Sequence, residues 1–550
     1  MQVHKKKMRL SAVLLVLSLG ATACGGDSGG GSGDSNAGAS GGTFSYTLTN
    51  PENPLVPGNT SESEGAQIID ALFTGLVTYD VDTAEVKMDG VAESIESDDK
   101  TLWTVKLKDG WTFHDGTAVD AQSFVDAWNY TALSTNAQGG SYFMANIEGY
   151  DALQAETDAD DNITAPPTAT ELSGLTIVDA KTFTVTLTAP FAQYPITVGY
   201  NAFYPLPKAF FTDPDAFGVK PIGNGPFKAD AEFRQDVGFT ITRFEDFAGE
   251  KAKADAVEIR VIPDINTAYL EVQNGSLDIL DSVPPEVITT APGEFGDRFL
   301  ERSSSTFTYV GFPTYDARFD DKKVRQAVSL AIDRAAISKA IFNGTREPAM
   351  SAISPVVDGS RPDACAYCVY DPAAAKALLA ETDFDTSQPI DLWFNSGAGH
   401  DAWMTAVGNQ LRENLGVDYK LKGDLAFSEY LPVGRNKQFT GPFRLGWSMD
   451  YPSPQNYLEP LYTEAALPPG SNTAFYVNPA FDAKVAEGNK AGSNDEAVKL
   501  YQDAEDILLE DMPIMPMFFG LLQAVHSENV SNVKFDAFGR CDLASVTVNQ

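Results

Sequence analysis

Arg444, Gly446, Trp447 and Asp450 form a short segment, spaced Arg-x-Gly-Trp-x-x-Asp, whose residue types can recognise charged groups. A carboxylate withdrawn from water gives an ammonium group a charge-assisted hydrogen bond, and a guanidinium gives a carboxylate two. The segment can therefore bind both ends of a zwitterion without making or breaking a covalent bond. The same residues also fit a surface Arg–Asp pair beside a core tryptophan, which is worth little energetically. The residue types alone favour that simpler explanation.

Two other segments match patterns of catalytic or metal-binding sites. Gly26-Asp27-Ser28-Gly29-Gly30 fits the G-x-S-x-G pattern of hydrolases, but a nucleophile elbow needs a preceding strand, and here the flanks are Gly, Ser, Asp and Asn. Residues 158–162 are acidic like a calcium loop, but Ile163 and Ala169 stand where that loop needs Gly and Glu. We therefore reject a nucleophile at Ser28 and predict a solvated acidic loop at 158–162.

The four cysteines and four histidines give little material for a metal cluster. Cys365 and Cys368 have the spacing of a redox motif, half a zinc site or a small loop disulfide. No second ligand pair completes a zinc site, and the acidic, Pro-flanked context is not typical of a redox helix start. We predict a structural disulfide between Cys365 and Cys368, a buried or unpaired thiol at Cys541, and no metal.

The charge balance restricts the partners. The chain has 550 residues, with 39 Lys+Arg against 76 Asp+Glu and a net charge of -37. Such a surface repels polyanions, which argues against nucleic acids and anionic membrane surfaces as ligands. The length and the 43% of hydrophobic residues suffice for two to four domains with large cores.

The N-terminus has the layout of a secretory signal at residues 1–23: basic residues, an apolar run at 10–19, and small residues before Cys24. The apolar run is about half the length of a membrane-spanning helix. The residues before Cys24 resemble a bacterial lipobox, whose cysteine is lipidated when the signal is cut; an ordinary signal with a chance cysteine is the alternative. Residues 24–43 suit a flexible tether. We predict a lipid-anchored protein on the extracytoplasmic face of the cell membrane.

The rest of the chain has the patterns of a mixed α/β protein. Apolar and polar residues alternate as in half-buried strands at 44–48, 102–107 and 182–187. Helical spacing predicts one helix over 321–342, capped by Asp320 or Asp321, and a second over 495–511. No internal repeat is present, which argues against solenoids and propellers.

Seven segments, in order along the chain, resemble family 5 of the bacterial extracellular solute-binding proteins, specifically its peptide and oligopeptide branch, which serves ABC importers. They are residues 72–77, 111–116, 221–227, 274–278, 324–328, 331–334 and 446–452. Each is weak alone. Their order, together with the chain length and the N-terminal signal, makes the resemblance specific.

The resemblance implies roles for the residues of the Arg-x-Gly-Trp-x-x-Asp segment. Asp450 would pair with the α-ammonium of a bound peptide, Arg444 would meet a carboxylate, and Trp447 would line the cleft. The backbone at Gly446 and Ser448 would bond an extended ligand, whose side chains can then vary. Three weaker candidates are an aromatic side chain and two carboxylates: Phe427, Glu62 and Glu64.

The resemblance also implies an α/β, two-lobed, type II periplasmic-binding-protein-like fold with an extra domain in the first lobe. We predict a lobe I core from 44–80, 185–305 and 515–550, an inserted domain at 81–184, and lobe II at 306–514. The ligand would be an oligopeptide and the partner an ABC permease; we expect a monomer with no cofactor and no enzymatic activity. The alternatives are another solute on the same fold, such as an oligosaccharide, nickel or haem, and a secreted hydrolase built around Ser28.

Overall fold

The computed structural model describes residues 41–60, 62–157, 163–468 and 470–549. The predicted signal at 1–23, the lipidation site Cys24, the Ser28 segment and the acidic residues 158–162 lie outside the described residues, as does most of the tether 24–43. Among the described residues, no helix is both long and apolar enough to cross a membrane.

The described part of the chain contains twenty-one strands. In chain order they are β1 (Thr43–Leu48), β2 (Thr78–Tyr79), β3 (Val86–Lys87), β4 (Ala92–Glu96), β5 (Leu102–Leu107), β6 (Glu156–Thr157), β7 (Ile163–Ala165), β8 (Leu175–Asp179), β9 (Thr182–Thr186), β10 (Phe227–Ala229), β11 (Gly238–Arg243), β12 (Ala256–Val261), β13 (Ile279–Leu280), β14 (Phe299–Gly311), β15 (Arg346–Pro348), β16 (Ile390–Trp393), β17 (Tyr419–Lys422), β18 (Phe443–Trp447), β19 (Ile514–His526), β20 (Val530–Ser531) and β21 (Thr547–Val548).

Fourteen α-helices occur in the same residues. They are α1 (Ser63–Leu72), α2 (Ala121–Ala132), α3 (Tyr194–Thr197), α4 (Pro214–Val219), α5 (Ile265–Gln273), α6 (Ala291–Phe295), α7 (Lys322–Leu330), α8 (Arg334–Ile341), α9 (Pro372–Leu379), α10 (His400–Leu415), α11 (Phe427–Arg435), α12 (Pro454–Tyr462), α13 (Pro479–Asn489) and α14 (Asn494–Asp511).

Eleven strands form one large mixed sheet, in the order β10-β11-β12-β1-β13-β19-β14-β18-β16-β17, with β15 paired to β19. Near its middle, β1 runs parallel to both β12 and β13. A separate antiparallel sheet, β4-β5-β9-β8, is built from the chain between 92 and 186. The predicted inserted domain at 81–184 covers most of this sheet; its boundaries stay a prediction.

The buried side chains form two large hydrophobic cores. The first core is built mostly from residues 44–261 and 524–546. It includes strands of the large sheet and of the β4-β5-β9-β8 sheet. The second core is built mostly from residues 307–519. A small third cluster packs α5 and α6 against Leu280 of β13 and Val525 of β19. The described chain is therefore divided between two main packing units.

Two long antiparallel strands, β14 and β19, join the two cores. Near their first-core ends β13 pairs with β19, and near the second-core ends β18 pairs with β14. The ladder between them is interrupted, because Ser303 faces Leu521 whereas the next partners are Phe307 and Phe519. Residues 304–306 therefore have no partner in this ladder and lie opposite Gly520. A Cβ at Gly520 would come within 2.5 Å of the Ser304 Oγ and 3.1 Å of the Thr306 Cβ.

Gln193 makes a hydrogen-bonded contact between the two cores. Its neighbours Phe191 and Tyr194 belong to the first core. Its Oε1 accepts a 2.9 Å hydrogen bond from the Ser453 hydroxyl, and its Nε2 donates to the Asn494 Oδ1 at 3.1 Å. Since Gln193 is only 1% exposed, these bonds are made away from water, where a hydrogen bond is electrostatically stronger.

The helix predicted over 321–342 is two helices, α7 and α8. Asp321 caps the first, as expected. The second helix begins after Asp333, whose carboxylate accepts the Ala336 N–H at 2.9 Å and caps it. Arg334 then turns inward and donates to the buried carbonyls of Pro516 and Cys368.

Other local predictions are confirmed. The strand at 102–107 is β5, and the helix at 495–511 is α14, which begins one residue earlier under a Ser493 cap. In the structure the sulfurs of Cys365 and Cys368 are bonded to each other, and Cys541 is a buried free thiol.

Candidate functional site

Strand β18 carries the first half of the Arg-x-Gly-Trp-x-x-Asp segment. Phe443 and Leu445 are buried in the second core, so by strand alternation Arg444 and Gly446 face the other side of the sheet. Gly446 lies opposite Thr308 of β14. A Cβ at Gly446 would come within 2.9 Å of the Phe307 carbonyl oxygen, so only glycine allows this close backbone approach.

Asp450 lies in the loop after β18 and is held by Asn456. The Asn456 amide donates to the Asp450 carboxylate at 3.0 Å, and its Oδ1 accepts the Asp450 backbone N–H at 2.9 Å. The same Oδ1 accepts the Trp447 indole N–H at 3.1 Å. One buried asparagine therefore fixes both the tryptophan and the aspartate.

The environment of Asp450 is poor in compensating charge. Burial raises the pKa of Asp450 to about 6, and only hydrogen bonds from Asn456 and Tyr142 oppose the shift. Within the described ranges, Asp450 takes part in no ion pair. No cation of these residues therefore offsets the desolvation of its carboxylate. A half-buried carboxylate without a cation is suited to bind an ammonium group.

Aromatic side chains from the first-core side lie against Asp450. The Tyr142 hydroxyl donates to the Asp450 carboxylate at 3.4 Å. Tyr142 packs on Phe143 with ring centroids 4.2 Å apart, and Phe143 packs on Tyr200 at 4.4 Å. The Tyr200 hydroxyl is near enough to Asp450 that the carboxylate contributes to raising the Tyr200 pKa, after burial. Asp450 thus lies between the two cores, with aromatic rings facing it.

Arg444 is also left without a charged partner in the described residues. Its Nη1 is 3.4 Å from the Asn395 Oδ1, and its buried Nε has no hydrogen-bond partner. Burial lowers the pKa of Arg444, and the nearby Arg346 lowers it further. A buried donor without an acceptor costs about 1–3 kcal/mol, a cost that a bound anion would remove.

His400 lies near Arg444 and Arg346 and adds a neutral donor beside these two cations. The Trp403 indole N–H donates to its Nδ1 at 3.2 Å, which assigns the ring proton to Nε2. That Nε2 is buried and has no partner. Burial lowers the pKa of His400 to about 4, with Arg444 and Arg346 adding to the effect, so the ring is neutral at pH 7. The three side chains are close enough that Arg346 and Arg444 both act on the pKa of His400.

The remaining predicted residues fall in different places. Ser448 is exposed, and its Oγ lies 3.4 Å from the Thr306 Oγ1 of the unpaired stretch in β14. Phe427 begins α11 with its ring half exposed, one turn before Tyr430, whose hydroxyl donates to the Arg444 carbonyl. Glu62 instead accepts backbone N–H groups of Glu52 and Asn53 and closes a local loop.

Sequence reasoning missed four residues that shape the site: Asn456, Tyr142, Arg346 and His400. Asn456 lies six residues after Asp450, in a Pro-flanked helix start, which is the one local signal that the sequence offers. The other three come from distant parts of the chain, and only the fold brings them to β18.

Comparison with known proteins adds independent observations. The model of bacterial extracellular solute-binding proteins, family 5 Middle, matches residues 88–467. The chain is 24% identical over 548 residues to the oligopeptide-binding protein OppA of Bacillus subtilis, covering 96% of this chain and 97% of that protein. It is 28% identical over 466 residues to the periplasmic oligopeptide-binding protein OppA of Salmonella typhimurium, covering 82% and 81%.

Two solved structures resemble the fold. One is the periplasmic murein tripeptide binding protein MppA in an unliganded open form, with a TM-score of 0.80 and 23% identity over 93% of this chain and 99% of that one. The other is Haemophilus influenzae OppA in complex with RPPGFSPFR, with a TM-score of 0.68 and 22% identity over 93% and 100%. The predicted fold class, a type II periplasmic-binding-protein-like α/β fold, is confirmed.

Proposed function

Because the chain belongs to family 5 of the bacterial extracellular solute-binding proteins, whose model matches most of its length, we propose that it is the substrate-binding component of an ABC importer and captures oligopeptides. Members of the family are binding proteins rather than enzymes. The relatives named for oligopeptides, in Bacillus subtilis and Salmonella typhimurium, support a peptide ligand.

The observation that carries the proposal is a pair of uncompensated charges of opposite sign on β18 and its following loop. Asp450 has no cation among the described residues, and Arg444 with His400 has buried donors without acceptors. A peptide brings an ammonium group and a carboxylate, which satisfy both. Charge-assisted bonds of this kind are stronger than neutral hydrogen bonds.

The edge of β18 suits the main chain of such a ligand. Strand β16 pairs with β18 only at Trp393 and Phe443, so in the described residues the far half of β18 has β14 as its one partner strand. An extended peptide can add to this edge through main-chain hydrogen bonds, which leaves its side chains free to vary. Trp447 and the Tyr142 ring would flank it.

The same proposal covers location and delivery. The signal at 1–23 would direct export, and lipidation at Cys24 would anchor the chain to the outer face of the membrane, with 24–43 as tether. A tether keeps the loaded protein at high effective concentration near a permease. The protein would act as a monomer. Substituting Cys24→Ala should abolish palmitate labelling and move the protein from the membrane fraction to the medium.

Calorimetric titration with matched peptides tests the ligand. Alanine peptides of three to six residues would be offered free, N-acetylated and C-amidated. We expect binding of the free peptides, weaker binding after either modification, and no binding of oligosaccharides. Equal affinity for free and N-acetylated peptides would contradict the role of Asp450.

Single substitutions assign each end of the peptide. Asp450→Asn should remove most of the discrimination against acetylation, and Arg444→Gln most of the discrimination against amidation. Asp297→Asn, at an exposed position far along the sequence, is the control for net charge. If Asp450→Asn and Arg444→Gln each affected both modifications equally, the assignment of the two ends would be wrong.

A further inference from the structure

A cavity of about 240 Å³ lies at the carboxyl-terminal ends of the parallel strands β1, β12 and β13, beside the start of α1. Ends of parallel strands are a common place for ligand sites in open α/β sheets. The wall is mostly apolar, with Leu48, Ile262, Ile265 and Leu280 among the lining residues. The volume is several times that of a water molecule, about 30 Å³, so a side chain of several heavy atoms fits.

Two carboxylates line this apolar cavity. The Asp281 Oδ2 accepts a 2.8 Å hydrogen bond from the Tyr46 hydroxyl, and the Glu64 Oε1 accepts one from Thr49 at 2.9 Å. The two acids are close enough that Glu64 adds to the effect of burial in raising the pKa of Asp281 to about 6. In the part of the chain that the structure describes, neither forms an ion pair.

The cation that also lines the cavity is already engaged. Arg540 binds Asp70 at 2.7 Å and lies 3.4 Å from Asp536. It therefore offsets those two acids and leaves Glu64 and Asp281 uncompensated. Tyr200 is a common neighbour, because the charges of Arg540, which lines the cavity, and of Asp450 both act on its hydroxyl.

We propose that this cavity receives a lysine or arginine side chain, whose methylene stem lies against Leu48, Ile262 and Leu280 and whose cationic head binds Asp281 and Glu64. The proposal rests on the proposed function, because the side chain belongs to the captured peptide. It deepens that function by naming a preference for peptides with a basic residue. Long cationic side chains combine an apolar stem with a charged tip, as this cavity requires.

The test compares lysine with norleucine, which keeps the stem and removes the charge. Alanine peptides of four residues, each with lysine or norleucine at one position, would be titrated into the full chain. We expect lysine to bind about tenfold tighter or more at one position, the size typical of one charge-assisted contact. Asp281→Asn should remove this preference and leave the affinity for tetra-alanine unchanged.

Glu286→Gln is the matched control, since Glu286 is an exposed acid five residues along the chain. It should keep the lysine preference, which separates the cavity from the general negative charge of the surface. Equal affinities of lysine and norleucine peptides for the wild type, at every position, would overturn the proposal. So would an equal loss of preference in Glu286→Gln.

A second arm separates this inference from the proposed function and from free amines. n-Butylammonium alone would be titrated, with binding followed by the fluorescence or NMR signals of the protein. If no peptide binds, saturable n-butylammonium binding that Asp281→Asn abolishes would support the cavity as a site for free amines and overturn the peptide source. No amine binding together with no lysine preference would overturn the cavity as a cation site altogether.

Discussion

Asp450 illustrates how a proposed binding residue can lower the stability of the empty protein. Its carboxylate is fixed by Asn456 and touched by Tyr142, but no cation compensates it among the described residues. Its pKa in the folded protein, about 6, lies above the ordinary 3.8 because of burial. The ionised form is therefore disfavoured by folding and favoured by a bound ammonium group, which is the arrangement expected of a receptor for amines.

The substitution Asp450→Asn should therefore have opposite effects on binding and on stability. Peptide affinity should fall by about 2–5 kcal/mol, because the ammonium group loses its counter-charge. The empty protein should gain about 1–3 kcal/mol at pH 7.5, since a raised pKa contributes stability below about pH 4 that is lost as the pH rises through 6. Calorimetry and urea unfolding measure the two effects. A variant destabilised at pH 7.5 would contradict this account.

The affinity for peptides should also depend on pH in a defined direction. Below pH 6 the Asp450 carboxyl becomes protonated, so affinity should be about tenfold weaker at pH 5 than at pH 7. His400 does not contribute, because burial and the neighbouring arginines lower its pKa to about 4. Titrations at both pH values check this, and Asp450→Asn should show a flat profile. A pH dependence that survives in this variant would point to another group.

At the scale of elements, local patterns in the sequence predicted those helices and strands whose positions depend on neighbouring residues. The strand at 102–107 and the helix at 495–511 are found because alternation and helical spacing reflect burial on one face. The prediction of one helix over 321–342 was wrong because the helical spacing of apolar residues continues through Asp333. The inward turn of Arg334 depends on carbonyls 34 and 182 residues away. Distant partners of this kind leave no mark on local spacing.

The break between α7 and α8 carries its own prediction. Arg334 donates to buried oxygens of Ser329, Ile332, Cys368 and Pro516. Arg334→Met should cost about 3–5 kcal/mol of unfolding free energy, because several buried carbonyls lose their donor. Asp333→Ala removes only a helix cap and should cost about 1 kcal/mol. Urea denaturation of the two variants compares them. Similar costs would mean that Arg334 is not the main support of this break.

At the scale of the molecule, the site depends on contacts between segments far apart in sequence. β18 meets β14 more than 130 residues earlier, with Gly446 opposite Thr308, and Tyr142 reaches Asp450 across 308 residues. The Arg-x-Gly-Trp-x-x-Asp segment was identified from the sequence because its residues are adjacent. The aromatic rings that face Asp450, the group of Arg346, Arg444 and His400, and the strand order were not identified from the sequence. They exist only once the two cores are assembled.

A substitution at Gly520 should change how the two cores move, because Gly520 lies opposite the unpaired residues 304–306. Gly520→Ala would push a methyl group against Ser304 and Thr306, at 2.5 and 3.1 Å. We expect about three- to tenfold weaker peptide binding, because the conformation that grips the ligand becomes less populated. Calorimetry and stopped-flow dissociation measure the effect.

Gly293→Ala is the control for this change, because a Cβ there meets no atom within 4 Å. It should leave peptide affinity at the wild-type value. Unchanged affinity in Gly520→Ala as well would mean that this stretch of β14 does not limit the motion.

The hydrogen-bonded contact at Gln193 affects how the two cores can separate. The crossing strands β14 and β19 attach the cores at one place, and Gln193 with Ser453 and Asn494 attaches them at another. The strands are continuous chain, whereas Gln193 and Tyr142 connect the two sides only through hydrogen bonds. Any separation of the cores therefore leaves the strands intact and breaks these hydrogen bonds, whose free energy contributes to the barrier against opening.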